Sequence, residues 1–440
     1  MEKFHDVGSF LSQYGLSNGS RVRVNWKDQT LNGLIIPQSK VGDVLTLKLD
    51  SGYNVGLRLV HIRDVEKIGE AIPCESVPNP RIEEKHHSST RPGFVLIGVG
   101  GTIASKVNYE TGGVIARMTP DELSGMVPEI NDFSHIVRIR SPFTKMSEDL
   151  LPEDWISIAK ICHEELNKSD VEGIILTHGT DTLHYTAAAL SFMLQDVSKP
   201  IVLVGSQRSS DRGSSDAVMN LVCAARVAIS DIAEVGICMH GTTSDDYCLF
   251  NKGTHVRKMH TTRRDAFRPI NRVPIARVWS DGKIEKLSPH VHRTSKPVVL
   301  DAVFEEKVAL VKMHPGLTPD VFHFYADKGY KGVVIEATGL GHVHTTRIIP
   351  VVKALTEKGI FVFITSQTIY GRVDLNVYTN LRLLQNAGAI GLGDMTTETA
   401  FVKLGWVLAH TQDRKKVIER MTQSIVGEIT EYSDPSTFLY

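Results

Sequence analysis

Seven short apolar runs mark the chain from residue 94 onward: FVLIGVG (94–100), GIILTH (173–178), IVLVGS (201–206), VGICMH (235–240), VALVKM (308–313), GVVIEA (332–337) and FVFITS (361–366). Each is nearly continuous in hydrophobicity, and segments of helical length separate them. Such runs predict parallel strands, buried on both faces, in βαβ units. Each run ends in a turn rich in Gly, Ser, Thr or His. Ligands of open parallel sheets bind in such turns, at the carboxyl ends of the strands. Residues 1–70 have a different texture. RVRVNW (21–26) alternates polar and apolar, and LNGLIIP and VLTLKLDSGYNVGLRL come after it. Asn18-Gly19 and Asp50-Ser51-Gly52 provide turn chemistry between them. About five short strands in that length predict a small, curled β-barrel.

Proline, serine and charge without periodicity make residues 71–93 a linker. A second segment of charge and proline, near Lys286 to Val299, divides the remainder of the chain in two. The expected organisation is a β-barrel at 1–70, a linker at 71–93, a larger α/β domain at 94–300 and a smaller one at 301–440. The length of 440 residues and the 42% hydrophobic content agree with two or three domains, each with its own core. No apolar run reaches the roughly 20 residues that span a bilayer. MEKFHDVGSF lacks the basic and apolar regions of a signal peptide. The five cysteines form no C-x-x-C pair, which reads as reduced thiols in a cytoplasmic protein. Lys and Arg number 49 against 50 Asp and Glu, so the chain carries no global footprint for nucleic acid. Any service to RNA is expected beside a partner that does most of the gripping.

Several chemistries are missing. In GVGGTI (98–103), Ile103 stands where a dinucleotide fingerprint needs its third glycine or alanine. No G-x-x-x-x-G-K-[ST] loop, G-x-S-x-G elbow, H-E-x-x-H or cysteine cluster occurs, so no metal site is expected. The scattered histidines read as satisfied or surface residues. What remains is threonine, aspartate and lysine on strand-end turns. Thr102 comes after a Gly-Gly turn, Thr180 and Asp181 precede a helix beginning near Leu183, and Lys258 lies in a polar, basic segment. A threonine hydroxyl is a weak nucleophile that needs a base or polarising partner. Lysine can act as that base, a carboxylate can orient it, and exposed N–H groups at glycine turns can hold an oxyanion. The plain alternatives are helix caps for both threonines and a solvated surface charge for Lys258. Spacing does not show that the three turns converge.

GGTIAS (100–105) and THGTDT (177–182) resemble the two signature segments of the L-asparaginase/glutaminase family, in the family's order and roughly eighty residues apart. The resemblance runs from about Phe94 to near the C-terminus. It implies an asparaginase-like core of two α/β domains with mainly parallel sheets. By motif, Thr102 matches the nucleophile, and Thr180, Lys258 and Asp181 match the catalytic set. Tyr109 matches the tyrosine of the loop that closes over substrate. Ser147 and Glu148 match the segment that holds the substrate's α-amino and α-carboxyl groups. Thr182 is left to cap the next helix.

The β-rich front domain, with RKMHTTRRDAF and SQTIYGRVDLNVY (366–378), is similar to the D subunits of archaeal glutamyl-tRNA(Gln) amidotransferases. The resemblance implies a glutaminase that passes ammonia to a partner E subunit, which uses ATP with Mg2+ and amidates Glu-tRNA(Gln). It implies no cofactor in this chain, a homodimer through the core, two D with two E subunits, tRNA contact mainly through the partner, and no membrane. EATGLGHVH (336–344) is a candidate to line the neighbour's site. A free-standing asparaginase or glutaminase with an extra module is the alternative, and a scaffold on a degenerate asparaginase fold is disfavoured by the intact residue set. The basic segment Lys252 to Arg268 reads as an ion-paired surface, with a tRNA or partner contact as the sharper alternative. Trp26 alone makes no stacking platform for RNA.

Overall fold

The computed structural model describes residues 6–36, 42–49, 54–70, 91–101, 105–107, 114–116, 127–209 and 214–440. The front module opens with helix α1 (Val7–Gln13), capped by Asp6, whose carboxylate accepts from the Ser9 N–H. Five antiparallel strands come next: β1 (Ser20–Trp26), β2 (Gln29–Ile35), β3 (Val44–Leu49), β4 (Asn54–Arg58) and β5 (Ile62–Glu70). They pair in the order β4-β3-β2-β1-β5, and two register shifts between β1 and β5 curl the sheet. Val22 and Val24, the apolar positions of the RVRVNW alternation, are buried with Phe10, Ile35, Leu45, Leu47 and Leu57 in a core separate from the rest of the molecule.

The second sheet contains eight strands: β6 (Gly93–Gly98), β9 (His135–Arg140), β10 (Gly173–Thr177), β12 (Ile201–Val204), β13 (Val235–His240), β14 (Cys248–Lys252), β17 (Ala276–Val278) and β18 (Ile284–Lys286). Two hairpins accompany it, β7 (Ser105–Val107) with β8 (Val114–Ala116) and β15 (Val256–Lys258) with β16 (Phe267–Pro269). A short antiparallel pair joins β11 (Leu194–Gln195) to β19 (Val299–Leu300). The sheet order is β18-β17-β14-β13-β12-β10-β6-β9. From β9 through β13 the pairs are parallel, and β14, β17 and β18 extend the sheet antiparallel. The four apolar runs at 94–240 are the central strands, buried at every position because helices cover both faces. Those helices include α2 (Pro152–Leu166), α3 (Leu183–Met193) and α4 (Ala217–Ala228).

The last three apolar runs form β20 (Val308–Lys312), β21 (Gly332–Ala337) and β22 (Phe361–Ser366), and β23 (Ile390–Gly391) completes a parallel four-stranded sheet. Helices α5 (Asp320–Asp327), α6 (Ile348–Glu357) and α7 (Thr379–Asn386) carry much of one core. Helix α8 (Thr397–His410) comes after the sheet, and α9 (Arg414–Thr422) after α8. The apolar side chains of α8 join the core of the larger sheet, with Trp406 stacked on Phe192 of α3 at 5.6 Å between ring centroids. That core also takes in Val308, Val334, Phe361 and Phe363 of the smaller sheet, which keeps a second core of its own against α5, α6 and α7. Cys162, Cys223, Cys238 and Cys248 are free and buried, while Cys74 lies outside the described residues. No helix among the described residues is long and apolar enough to cross a membrane.

Candidate active site

Three adjacent strands, β6, β10 and β12, end at the same edge of the large sheet. Gly100 and Gly101 come after β6 with φ of +112° and +84°, a region that L side chains rarely adopt. A Cβ on Gly101 would lie 2.1 Å from the Gly179 nitrogen, so the backbone at Gly101 rests directly on the THGTDT turn. A Cβ on Gly179 would meet the Ser147 side chain at 2.7 Å, and one on Gly205, after β12, would meet Thr180 Cγ2 at 2.9 Å. Glycine at these positions lets the turns close on one another.

Thr180 is 5% exposed, at the mouth of this junction. Lys258 ends β15 and reaches across, donating from Nζ to Thr180 Oγ1 at 2.8 Å and to Asp181 Oδ1 at 2.6 Å. The lysine side chain is 11% exposed and the Asp181 carboxylate 65%. An amine is thus held within proton-transfer distance of a threonine hydroxyl, with a carboxylate fixing its direction. Thr102 and Tyr109 lie outside the described residues. Ser147 is buried beside the junction, whereas Glu148, its neighbour in a short 3-10 turn (Ser147–Asp149), faces solvent.

Thr182 occupies the N-cap position of α3, but its side chain makes no capping bond. Its hydroxyl donates to the Ser147 carbonyl at 2.6 Å, so it joins the THGTDT turn to the KMSEDL segment instead of closing the helix. His178 supplies a second brace. It is fully buried, with Nδ1 2.6 Å from the Gly179 carbonyl and Nε2 2.8 Å from Thr186 Oγ1. A carbonyl only accepts, so Nδ1 carries the proton and the Thr186 hydroxyl donates to Nε2. Burial pushes the His178 pKa down to about 4, which keeps the ring neutral. The turn after β12 is organised by buried Asp216, which accepts from the N–H groups of Gln207 at 3.0 Å and Arg208 at 3.1 Å. Asn220 links Asp216 to the Gly205 carbonyl, both at 3.0 Å.

All six Lys and Arg residues of the basic segment 252–268 are paired. Lys252 meets Glu234, Arg257 meets Glu398, Lys258 meets Asp181, Arg263 and Arg268 share Asp265, and Arg264 meets Asp245. The ion-paired reading of this surface holds. The Arg257–Glu398 contact at 3.1 Å ties the strand of Lys258 to the first turn of α8. Burial pushes the Glu398 carboxyl up, while the Arg257 guanidinium pulls it back. His184, 3.9 Å from that carboxyl, is pushed down to about 3, first by burial and then by the charges of Arg257 and Lys258. Sequence reasoning did not single out Glu398, His184, Asp216 or Asn220, because their roles arise from contacts across the fold. EATGLGHVH begins within β21, and its turn is closed by a bridge between Thr338 and His342.

A parallel-sheet α/β core with these signature turns meeting at one strand edge defines an asparaginase-like protein. The asparaginase N-terminal domain family matches residues 94–292, the glutaminase/asparaginase C-terminal domain family matches 307–421, and the GatD N-terminal domain family matches 16–68. Among solved structures, the thermostable L-asparaginase from Thermococcus kodakarensis superposes with a TM-score of 0.69 at 32% identity, covering 77% of this chain and 99% of that one. L-asparaginase I from Vibrio cholerae gives 0.67 at 26% identity, covering 78% and 100%. Neither solved structure accounts for the whole chain. Full-length relatives do: the glutamyl-tRNA(Gln) amidotransferase D subunit of T. kodakarensis is 49% identical over 98% of this chain and 99% of its own length. Its counterpart in Sulfolobus acidocaldarius is 43% identical over 96% of this chain and 93% of its own length. The chain belongs to the family of glutamyl-tRNA(Gln) amidotransferase D subunits.

Proposed function

We infer that the chain is the glutamine-hydrolysing subunit of a glutamyl-tRNA(Gln) amidotransferase, making ammonia for the amidation of Glu-tRNA(Gln). The observation that carries this is the hydrogen-bonded Thr180–Lys258–Asp181 set on converging turns, in a chain that also bears the N-terminal domain of the D subunits. Thr102 is the acyl acceptor in this reading. Its oxygen attacks the side-chain carboxamide carbon of glutamine, the C–N bond breaks, and ammonia leaves with the added proton. Water then attacks the acyl ester, glutamate departs, and the Thr102 hydroxyl is restored. Thr180 and Lys258 relay the protons that these steps take up and return, and Asp181 keeps Nζ aimed. Ser147 and Glu148 border the amino-acid end of the substrate, and Tyr109 closes over it.

Ammonia goes to a partner E subunit, where ATP and Mg2+ are used and most of the tRNA is held, and the chain itself takes no cofactor. The assembly is a dimer of this chain through its core with two E subunits attached, in the cytoplasm. The near-balanced charge of 49 basic and 50 acidic residues, with the basic segment already ion-paired, supports leaving the tRNA grip to the partner.

The test is coupled turnover. The purified chain hydrolyses glutamine slowly alone and faster when partner, ATP and Glu-tRNA(Gln) are supplied. Full, tRNA-independent asparagine hydrolysis by the chain alone overturns the reading in favour of a free-standing asparaginase. A complex carrying Thr102→Ala still amidates tRNA when ammonium salt replaces glutamine. Failure with free ammonia, despite intact assembly, removes Thr102 from a role confined to ammonia production.

A further inference from the structure

The opposite end of the large sheet, away from the converging turns, holds a cluster that the glutaminase reaction does not use. Asp231 lies in the loop between α4 and the start of β13, and His290 and His292 lie on the segment leading from β18 toward β19. Backbone pairing binds the two stretches together. The Ala233 N–H donates to the Val291 carbonyl at 2.8 Å, the Arg293 N–H donates to the Asp231 carbonyl at 2.9 Å, and Ile232 and His292 form an antiparallel bridge. Alternate residues of an extended segment share a face, and the two imidazole rings stand 4.6 Å apart between centroids. One donor atom from each of Asp231, His290 and His292 lies within 4.8 Å of the others.

The protonation pattern of the cluster suits a cation. His290 Nδ1 faces the Ser288 carbonyl at 3.4 Å, so the ring proton belongs on that side. His290 Nε2 is buried and has no hydrogen-bond partner. A buried nitrogen lone pair without a donor is a cost that a metal ion removes. His292 Nδ1 is 3.3 Å from Asp231 Oδ2. Lys286 Nζ sits 2.7 Å from the same oxygen, an exposed ammonium where a metal charge would otherwise be.

We propose that Asp231, His290 and His292 form a binding site for one divalent transition cation of the Zn2+ class, with water as the fourth ligand. Two imidazole nitrogens and one carboxylate oxygen are the donors that Zn2+ accepts in four-coordinate sites. Bonds of about 2.0–2.2 Å place such donors roughly 3.3 Å apart, so from a present spread of up to 4.8 Å the side chains close by as much as about 1.5 Å. Lys286 swings out to solvent as the cation takes its place. The bound ion clamps the connector between the two sheets onto the rim of the larger one, beside the Arg293–Glu172 ion pair at 2.6 Å. The sequence carried only half of this site. H-x-H at 290–292 has no third ligand nearby in the chain, and Asp231 reaches it only through the fold.

The experiment uses the untagged full chain in a Cys74→Ser background, stripped with chelator and titrated with Zn2+ alone by calorimetry. Cys162, Cys223, Cys238 and Cys248 are buried and do not compete. The parent binds one equivalent, and its unfolding temperature rises on binding. His290→Ala and His292→Ala each weaken that binding at least tenfold and abolish the thermal shift. Lys286→Met, which removes the competing ammonium, binds more tightly than the parent. Co2+ in place of Zn2+ gives the visible bands of a four-coordinate site with nitrogen and oxygen donors. Circular dichroism identifies variants that remain folded, and Asp231→Asn stands in for any histidine variant that does not. Zn2+ uptake by the His290→Ala/His292→Ala double variant equal to the parent's overturns the proposal. No uptake by the parent does so as well.

Discussion

Lys258 touches both of its partners with one atom, and the consequence can be measured residue by residue. Removing the amine in Lys258→Ala, or the hydroxyl in Thr180→Val, is expected to lower glutamine turnover by about 10²–10⁴-fold. Unchanged circular dichroism would accompany that loss, because neither side chain is part of an apolar core. Wild-type turnover in either variant would remove the set from the reaction. His178 has a different kind of consequence. Its folded-state pKa of about 4 lies below the ordinary value of 6.5, so the unfolded chain binds the proton first as pH falls. Stability is complete above 6.5, declines as pH drops through that window, and has lost the whole contribution near 4. The 2.5-unit difference corresponds to roughly 3 kcal/mol. Urea midpoints measured between pH 7 and 4 should therefore fall less steeply for His178→Gln than for the parent. An equal slope would assign the acid sensitivity to other groups, His184 among them.

At the level of elements, the site is a meeting of turns. The β6 turn carries two glycines of positive φ, and the β10 and β12 turns each carry a glycine that a neighbour presses upon. Gly101→Ala tests whether that contact sets the geometry. Its Cβ would fall 2.1 Å from backbone nitrogen at a φ of +84°, and neither the clash nor the strain has a flexible side chain to absorb it. The expected outcome is a loss of more than about 2 kcal/mol together with loss of glutaminase activity. An active, equally stable Gly101→Ala protein would mean that the turns are not held by close backbone approach. The strands that deliver these turns were readable as apolar runs. Strand β9, HIVRIR, was not, because every one of its residues is half-buried at the sheet edge and no run or alternation stands out. The antiparallel additions β14, β17 and β18 were likewise invisible to a pattern that marks only fully buried parallel strands.

Across the whole molecule, the two α/β sheets are fastened by α8 and the segment after it. Lys403 of α8 and Glu428 are fully buried and meet at 2.5 Å, and Lys403 Nζ also donates to the carbonyls of Met421 and Gln423. Glu428 in turn accepts from the backbone N–H groups of Ile425 and Val426. Lys403→Met leaves that carboxylate buried without its cation, a change that typically costs about 3–5 kcal/mol. Urea unfolding followed by fluorescence of Trp406, on the same helix, should register a loss of that size. A shift below about 1 kcal/mol would mean that water reaches Glu428 and replaces the lysine. The front module is independent of this arrangement, since its buried apolar side chains among the described residues form a cluster of their own.

Local pattern was enough for the strands, the turn motifs and the residue types of the site, because hydrophobic period and glycine placement act over a few residues. THGTDT, GGTIAS and Lys258 could be named from the chain alone, and so could the ion-paired character of the basic segment as an expectation. Their convergence could not, because it depends on β6, β10 and β12 being neighbours and on glycines that let backbones touch. The same reason explains Thr182, which looked like a helix cap and instead bonds the Ser147 carbonyl, a partner supplied by another turn. It also explains why the threonine, lysine and aspartate form one hydrogen-bonded set while the histidines within and beside the motif stay neutral and structural. Sequence determined which chemistry was present, and the tertiary structure decided which groups meet, because contacts between distant segments depend on sheet order and burial.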